Sequence, residues 1–114
     1  MKKLLQFRHR EETKQICVVC WDLHGADKEK IYKKARRLGE LDTNYHIILL
    51  RNGLEEYDRD IKAVAGFRLP DNEISVYVLV DAPNQKKIND AQKLILERLS
   101  IEYDLPIKYV EMGV

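Results

Sequence analysis

The chain has 114 residues, of which 45% are hydrophobic and 34% are charged, with 20 Lys and Arg against 19 Asp and Glu. This hydrophobic share excludes an intrinsically disordered chain, and no apolar run approaches the roughly 20 residues that cross a bilayer. The formal net charge of +1 argues against a protein that is basic throughout, although it is compatible with local basic patches. The length suits one hydrophobic core.

The N-terminal segment begins like a signal peptide but lacks its long apolar stretch. The apolar residues Leu4, Leu5 and Phe7 are followed at once by Arg8, so we expect no export and a cytoplasmic location. Residues 1–14 carry five basic side chains against two acidic ones. We interpret them as a basic N-terminal arm in front of a single α/β domain that covers the rest of the chain, residues 15–114.

Strands and helices are predicted to alternate along the chain. Apolar runs rich in Val, Ile or Tyr predict strands, and apolar residues three or four positions apart predict helices. In chain order we expect a strand over residues 16–21, a helix over 27–38, a strand over 45–50, a helix over 55–65, a strand over 74–80, a helix over 85–101 and a strand over 107–110.

Capping and chain-breaking residues indicate where the helices begin and end. Asp27 is a suitable cap for the first helix, and Gly39 is expected to end it. The third helix is expected to follow Pro83. The second helix is predicted from a stripe of apolar residues at helical spacing, formed by Leu54, Tyr57, Ile61 and Val64.

The order βαβαβαβ predicts an α/β fold with about four mostly parallel strands and three helices. In the first strand Ile16 and Val18 alternate with Cys17 and Val19, so both faces are apolar, as in a sheet covered on each side. The alternative is a ferredoxin-like α/β sandwich with the helix over residues 55–65 inserted between its middle strands. That sheet would leave one face free for a dimer partner.

Cys17 and Cys20 have the C-x-x-C spacing that occurs in zinc and redox sites. The spacing falls within a predicted strand, where residues three apart point to opposite faces. We therefore expect two separate small hydrophobic side chains rather than a metal site or a disulfide.

Polar residues follow the first and third predicted strands. Asp22 and His24 come directly after the first, and Asp81 and Asn84 come directly after the third. Because ligand sites of parallel sheets lie at the carboxyl ends of the strands, these residues are expected to share one crevice. We predict Asp22, Asp81 and His24 as catalytic residues, with both aspartates binding Mg²⁺ or Mn²⁺. The alternative is that the aspartates only cap the turns that follow the strands.

The near-zero net charge conceals zones of opposite charge. The first predicted helix is basic, and residues 40–60 contain six acidic side chains against two basic ones. Opposite the apolar side of that helix lies a stripe of four basic residues that could contact nucleic-acid phosphates, namely Lys30, Lys33, Lys34 and Arg37. A solvated helix face, or docking between oppositely charged zones of two subunits, would explain the same pattern.

Three short motifs carry a resemblance to a known family. They are Trp21-Asp22-Leu23 after the first strand, the strand-to-helix passage over residues 46–53, and residues 69–73 leading into the next strand. Over about residues 15–81 the chain resembles the small CRISPR-associated endoribonuclease-like proteins. The resemblance implies a ferredoxin-like fold, a dimer and magnesium-dependent phosphodiester cleavage, with Asp22 as the metal-binding aspartate. An extra helix and strand after Pro83 depart from the family pattern.

Two functions therefore follow from the sequence. The first is a metal-dependent nucleic-acid phosphodiesterase in which the basic arm and first helix bind the nucleic acid. The alternative is a non-enzymatic, dimeric accessory module that binds nucleic acid or protein. Both functions place a small homodimer in the cytoplasm, with no membrane partner.

Overall fold

The computed structural model describes residues 8–37, 44–66 and 68–111. They form two α-helices, α1 (Lys28–Arg37) and α2 (Asp90–Tyr103), and a short 3₁₀ turn over Gln85–Lys87. The strands are β1 (Gln15–Trp21), β2 (Ile47–Leu49), β3 (Glu55–Tyr57), β4 (Ser75–Asp81) and β5 (Ile107–Tyr109).

The five strands form one mixed sheet in the order β3-β2-β4-β1-β5. β4 lies at the centre and pairs in parallel with β1 and β2, and β1 pairs in parallel with β5. Only β3 runs antiparallel, against β2. The β1–β4 register extends from Gln15 beside Ser75 to Trp21 beside Asp81, so the two strands end level with each other. Their carboxyl ends therefore open at one edge of the sheet.

Both faces of the sheet are buried, because the central strands are apolar on both sides. On one face, Ile16 and Val18 of β1 belong to a buried cluster with Leu96 and Leu99 of α2. On the other face, a second cluster includes Cys17, Val19 and Tyr77 of the strands and Ile31 of α1. The structure thus has three layers, and the predicted alternation within the first strand is confirmed.

Cys17 and Cys20 are free thiols on opposite faces of β1. Cys17 is buried in the α1-side cluster, whereas Cys20 is partly exposed and packs against the α2-side cluster. The expectation of two separate thiols is confirmed.

A side chain caps the first turn of each α-helix. The Asp27 carboxylate accepts a hydrogen bond from the Lys30 amide, as the sequence predicted. The proposed end of α1 at Gly39 lies outside the described residues. In α2, Asn89 and Gln92 form a capping box, in which each side chain accepts a hydrogen bond from the other's backbone amide. α2 therefore starts at Asp90 rather than at residue 85.

The predicted helix over residues 55–65 is wrong. Residues 50–53 form a tight turn, in which the Gly53 amide donates to the Leu50 carbonyl, Gly53 has a positive φ of 89°, and the Leu50 amide donates to the Leu54 carbonyl. This turn folds β3 back onto β2 as a hairpin. A short loop that ends in a glycine with positive φ is typical of a hairpin, and here it outweighs the helical spacing of the residues that follow.

These differences correct the predicted fold class in part. The protein is a single α/β domain, but it has five strands and two α-helices in the described residues rather than four parallel strands and three helices. The ferredoxin-like alternative does not fit, because helices and loops cover both faces of a sheet that is parallel in three of its four strand pairs.

Residues 8–14 of the proposed basic arm run against the domain. His9 forms a bridge with Ala63, and the Arg10 guanidinium donates to the carbonyls of Ile61 and Ala63. Partial burial lowers the pKa of Arg10, and Asp60 opposes this effect. The division into an arm and a domain stays a prediction. Neither helix of the described residues has the length and apolar character needed to cross a membrane.

Candidate functional site

Asp81, the last residue of β4, is fully buried and organises the loop that follows β1. Its Oδ1 accepts a hydrogen bond from the Leu23 amide at 2.8 Å, and its Oδ2 accepts one from the Gly25 amide at 3.0 Å. The side chain is 0% exposed. A buried carboxylate is stable only when charged or polar groups compensate it. These backbone amides supply part of that compensation.

Arg51 supplies the remaining compensation for the buried Asp81 carboxylate, and it contacts both predicted aspartates. One of its nitrogens, Nη2, lies 2.8 Å from Oδ1 of Asp81 and 3.0 Å from Oδ1 of Asp22. The structure therefore brings Asp22 and Asp81 to one place, at the carboxyl ends of β1 and β4. A guanidinium lies between them where the sequence interpretation placed a metal ion.

Asp22 is partly exposed, unlike Asp81. Its Oδ1 accepts a hydrogen bond from the His24 amide and lies 3.3 Å from Nδ1 of the exposed His24 ring. The hydrogen bond from the His24 amide, with those from Arg51, lowers the pKa of the Asp22 carboxyl and outweighs its partial desolvation. Its Oδ2 accepts no hydrogen bond from the residues that the structure describes. Asp22 thus stays ionised and keeps one oxygen available.

Gln92 of α2 links this group of residues to the second helix. Its buried side-chain amide donates to the carbonyls of Leu49, Leu50 and Asp81. It therefore ties the ends of β2 and β4 to the start of α2. We call Asp81, Arg51 and Gln92 the Asp81 cluster.

An open cleft of about 650 Å³ lies beside the Asp81 cluster, along the carboxyl ends of β1 and β5. Pockets that hold small molecules have volumes of roughly 300–1,000 Å³. We call it the β1–β5 cleft. Its lining comes from β1 and the residue after it, the loop before α2, and the end of β5: Val18, Cys20, Trp21, Asp22, Pro83, Asn84, Gln85, Tyr109, Val110 and Glu111.

Two aromatic residues and one thiol give the cleft its apolar character. Trp21 is 43% exposed and Tyr109 is 40% exposed, which is unusual for large apolar side chains. Tyr109 pairs with Val18 in the sheet and therefore lies on the same face as Cys20. Burial and the nearby Cys20 thiol raise the pKa of the Tyr109 hydroxyl, and burial raises the pKa of Cys20. Both groups are neutral at physiological pH.

The remaining predicted site residues lie elsewhere. Lys30, Lys33, Lys34 and Arg37 are exposed on α1, which covers the sheet face opposite to α2. The sequence missed Arg51 and the aromatic residues of the cleft. Arg51 could have been found from its position directly after a buried strand, level with the end of β4.

The expected Mg²⁺ or Mn²⁺ is not supported. Within residues 8–37, 44–66 and 68–111, no three His, Cys, Asp or Glu side chains are grouped so that they could hold a metal ion. The Arg51 guanidinium lies between the two aspartates and contacts both, where a shared metal ion would have to bind. The metal role given to Asp22 and Asp81 therefore has no geometric support here.

No protein-family model and no curated protein matches the chain. Solved structures do match. N-acetylmuramoyl-L-alanine amidase LysC from Clostridium intestinale has a TM-score of 0.67 at 14% identity, covering 92% of this chain and 78% of its own. Peptidoglycan recognition protein 1 from Manduca sexta has a TM-score of 0.67 at 16% identity, covering 96% of this chain and 73% of its own. The chain has the fold of these proteins.

A third match shows a ligand on this fold. It is a complex of tracheal cytotoxin with the ectodomains of peptidoglycan recognition proteins LCa and LCx, with a TM-score of 0.59 and 13% identity. The match covers 90% of this chain and 74% of the other. At such identities the likeness establishes the fold alone.

These matches overturn the resemblance to the CRISPR-associated endoribonuclease-like family. The motifs that carried it were short, and the strands next to them belong to a three-layer sheet rather than to a ferredoxin-like one. The interpretation as a nucleic-acid phosphodiesterase, or as a nucleic-acid-binding module, is wrong as well, since the matching folds belong to peptidoglycan amidases and recognition proteins.

The predicted partners are corrected in the same way. Nucleic acid is not the partner that the matching folds indicate. One reason to expect a homodimer was that a ferredoxin-like sheet leaves one face free. In this fold, elements of the same chain cover both faces, so that reason for a dimer is lost. The cytoplasmic location stays a prediction.

Proposed function

We propose that the protein recognises a peptidoglycan-derived glycopeptide in the β1–β5 cleft. The observation that carries the proposal is the cleft itself, an open space of about 650 Å³ with two half-exposed aromatic side chains. Aromatic rings combine a broad apolar face with polar edges, which suits a ligand made of sugar rings and a short peptide. The shared fold supports the choice of ligand class, since the matching proteins are named for peptidoglycan recognition or for cleavage of N-acetylmuramoyl-L-alanine.

The polar lining suits such a ligand. Asn84 and Gln85, in the loop before α2, offer both hydrogen-bond donors and acceptors. Sugar hydroxyls and acetamido groups require both kinds of partner, because each donates and accepts. A mostly apolar cleft with a few polar side chains is the usual composition of a small-molecule site.

The proposal can be tested with the fluorescence of Trp21, the only tryptophan of the chain. Because Trp21 lines the cleft, titration with a soluble N-acetylmuramoyl peptide should change its emission saturably. Calorimetry of the same titration should show the same midpoint. Absence of both a fluorescence change and a heat of binding at millimolar ligand would overturn the proposal.

Two matched tyrosine variants locate the binding site. Tyr109 of β5 and Tyr57 of β3 lie on opposite edge strands of the sheet and are 40% and 47% exposed. Tyr109→Ala should weaken binding roughly tenfold, as expected for an aromatic contact at the centre of a site. Tyr57→Ala should leave the affinity unchanged. Equal effects of the two substitutions would contradict a site in the cleft.

Chromatography of the ligand after long incubation separates recognition from hydrolysis. Recovery of the intact muramoyl peptide is the expected result. Release of the free peptide would mean that the protein cleaves the amide bond, which is the activity named for the amidases of this fold.

A further inference from the structure

We infer that the free edge of β5 binds the peptide part of the glycopeptide as an added strand, which rests on the function proposed for the β1–β5 cleft. β5 is the last strand of the sheet, and among the described residues only β1 pairs with it. The end of β5 also lines the cleft, through Tyr109, Val110 and Glu111. A ligand in the cleft therefore lies beside an edge that can accept a further strand.

The hydrogen bonds between β1 and β5 show which backbone groups of β5 face the sheet. The Ile16 amide donates to the Pro106 carbonyl, and the Val110 amide donates to the Val18 carbonyl. Along a paired strand, every second residue bonds to the neighbouring strand, and the residues between them face the other way. The even-numbered positions from 106 to 110 therefore direct their backbone groups toward β1.

The odd-numbered residues Ile107 and Tyr109 direct their amides and carbonyls to the outer side of β5. None of these four groups forms a hydrogen bond with the described part of the chain. Successive outward residues of a strand lie about 6.6 Å apart, and each offers one donor and one acceptor. An extended peptide repeats a donor and an acceptor at the same spacing. The edge therefore suits the peptide of the ligand better than its sugar.

The opposite edge strand, β3, also has outward backbone groups but lies away from the cleft. The Leu54 carbonyl and the Asp58 amide bond to the chain of β2 on either side of β3. By the same alternation, the Tyr57 amide faces outward. None of the β3 residues, which the structure describes in full, lines the cleft. β3 thus provides a matched control, with the same free amide and no neighbouring ligand site.

An N-methyl scan of the ligand tests the added strand on the unmodified protein. An N-acetylmuramoyl pentapeptide that begins with L-alanine is compared with derivatives that each carry one methylated peptide nitrogen, and Trp21 fluorescence reports binding. Every second amide of an added strand bonds to its neighbour. Methylation should therefore weaken binding roughly fivefold to tenfold at alternate positions and leave it nearly unchanged at the positions between.

Proline variants test the same contact from the side of the protein. Tyr109→Pro removes the outward amide of β5, whereas Tyr109→Ala removes the same side chain and keeps the amide. Tyr109→Pro should bind the unmethylated peptide roughly fivefold more weakly than Tyr109→Ala. Tyr57→Pro and Tyr57→Ala should bind it equally, and circular dichroism checks that all four variants fold. A comparable difference between the two Tyr57 variants would contradict a contact specific to β5.

The outcomes separate the added strand from the proposed function. If the unmethylated peptide binds and methylation has the same effect at every position, or none, the added strand is wrong and glycopeptide binding stands. If the unmethylated peptide does not bind, both are wrong. A second copy of the chain on this edge would instead appear as a dimer in sedimentation, dissociated by Tyr109→Pro, and would also overturn the assignment of the edge to the peptide.

Discussion

Two regions at the carboxyl ends of the parallel strands both contain carboxylates, and they differ in how these groups are satisfied. In the Asp81 cluster, both carboxylate oxygens accept hydrogen bonds from protein donors, and the side chain is fully buried. In the β1–β5 cleft, Asp22 keeps one oxygen without a described partner, and Glu111 is exposed. The first region holds the loops in place, and the second is available to a ligand.

The comparison shows that proximity of two carboxylates does not define a site. Asp22 and Asp81 contact the same Arg51 nitrogen, yet only Asp22 reaches the cleft. The backbone amides of the β1–α1 loop turn inward to Asp81, because a buried carboxylate requires donors. Asp22, one residue beyond the end of β1, remains at the surface. The substitutions below test this division of roles.

The largest expected effect is that of Asp81→Ala on stability. The substitution removes the acceptor of the Leu23 and Gly25 amides and one partner of Arg51. Since each unsatisfied buried group costs about 1–3 kcal/mol, the free energy of unfolding should fall by about 3 kcal/mol. Urea denaturation followed by circular dichroism measures this change. Asp22→Ala is the matched control and should have a much smaller effect; a comparable loss would remove the distinction between the two regions.

A smaller decrease in the free energy of unfolding is expected for Gln92→Ala. Its side-chain amide donates to three carbonyl groups and accepts from the Asn89 amide in the capping box. Loss of these contacts in a fully buried position should lower the free energy of unfolding by about 2 kcal/mol. Lys93→Ala changes the next, exposed position of the same helix and should have little effect in the same urea denaturation. If the two variants were equally stable, the buried amide would contribute nothing to closing the cluster.

The sequence predicted the parts of the fold that depend on local apolar pattern. The alternation in β1 and the run of β4 were recognisable because both strands are buried on both faces, and continuous apolar runs mark such strands. The region over residues 55–65 was misread, because Tyr57 and Ile61 have helical spacing although the Asn52-Gly53 turn forms a hairpin. The preference of this turn for a hairpin outweighed the helical spacing of the apolar residues that follow it.

The candidate site was predictable only in part. That Asp22 and Asp81 meet follows from the parallel pairing of their strands, which an alternating α/β pattern already favours. The partner that joins them, Arg51, follows a strand that is distant in sequence, so its role depends on the sheet order. Tyr109 and Glu111 reach the cleft because β5 pairs beside β1. No local pattern in residues 107–111 indicates that pairing.

The smallest expected effect distinguishes an aspartate held by Arg51 from a carboxylate pair that shares a proton. The structure lowers the pKa of Asp22 from its ordinary value of 3.8, chiefly through the His24 amide and then Arg51. A lowered pKa means that the folded state favours the ionised form. This stabilisation is therefore complete above the unfolded pKa and is lost as the pH falls through the folded pKa.

Asp22→Asn removes that contribution and provides the test. The stability difference between the wild type and the variant should be constant from pH 7 to about pH 5 and should shrink as the pH falls below the ordinary pKa of aspartate. Urea denaturation midpoints at a series of pH values measure this difference. A carboxylate pair without Arg51 between its members would raise one pKa, so the wild type would instead gain stability relative to the variant on acidification. That result would restore the two aspartates as a shared site and contradict the separation of the Asp81 cluster from the cleft.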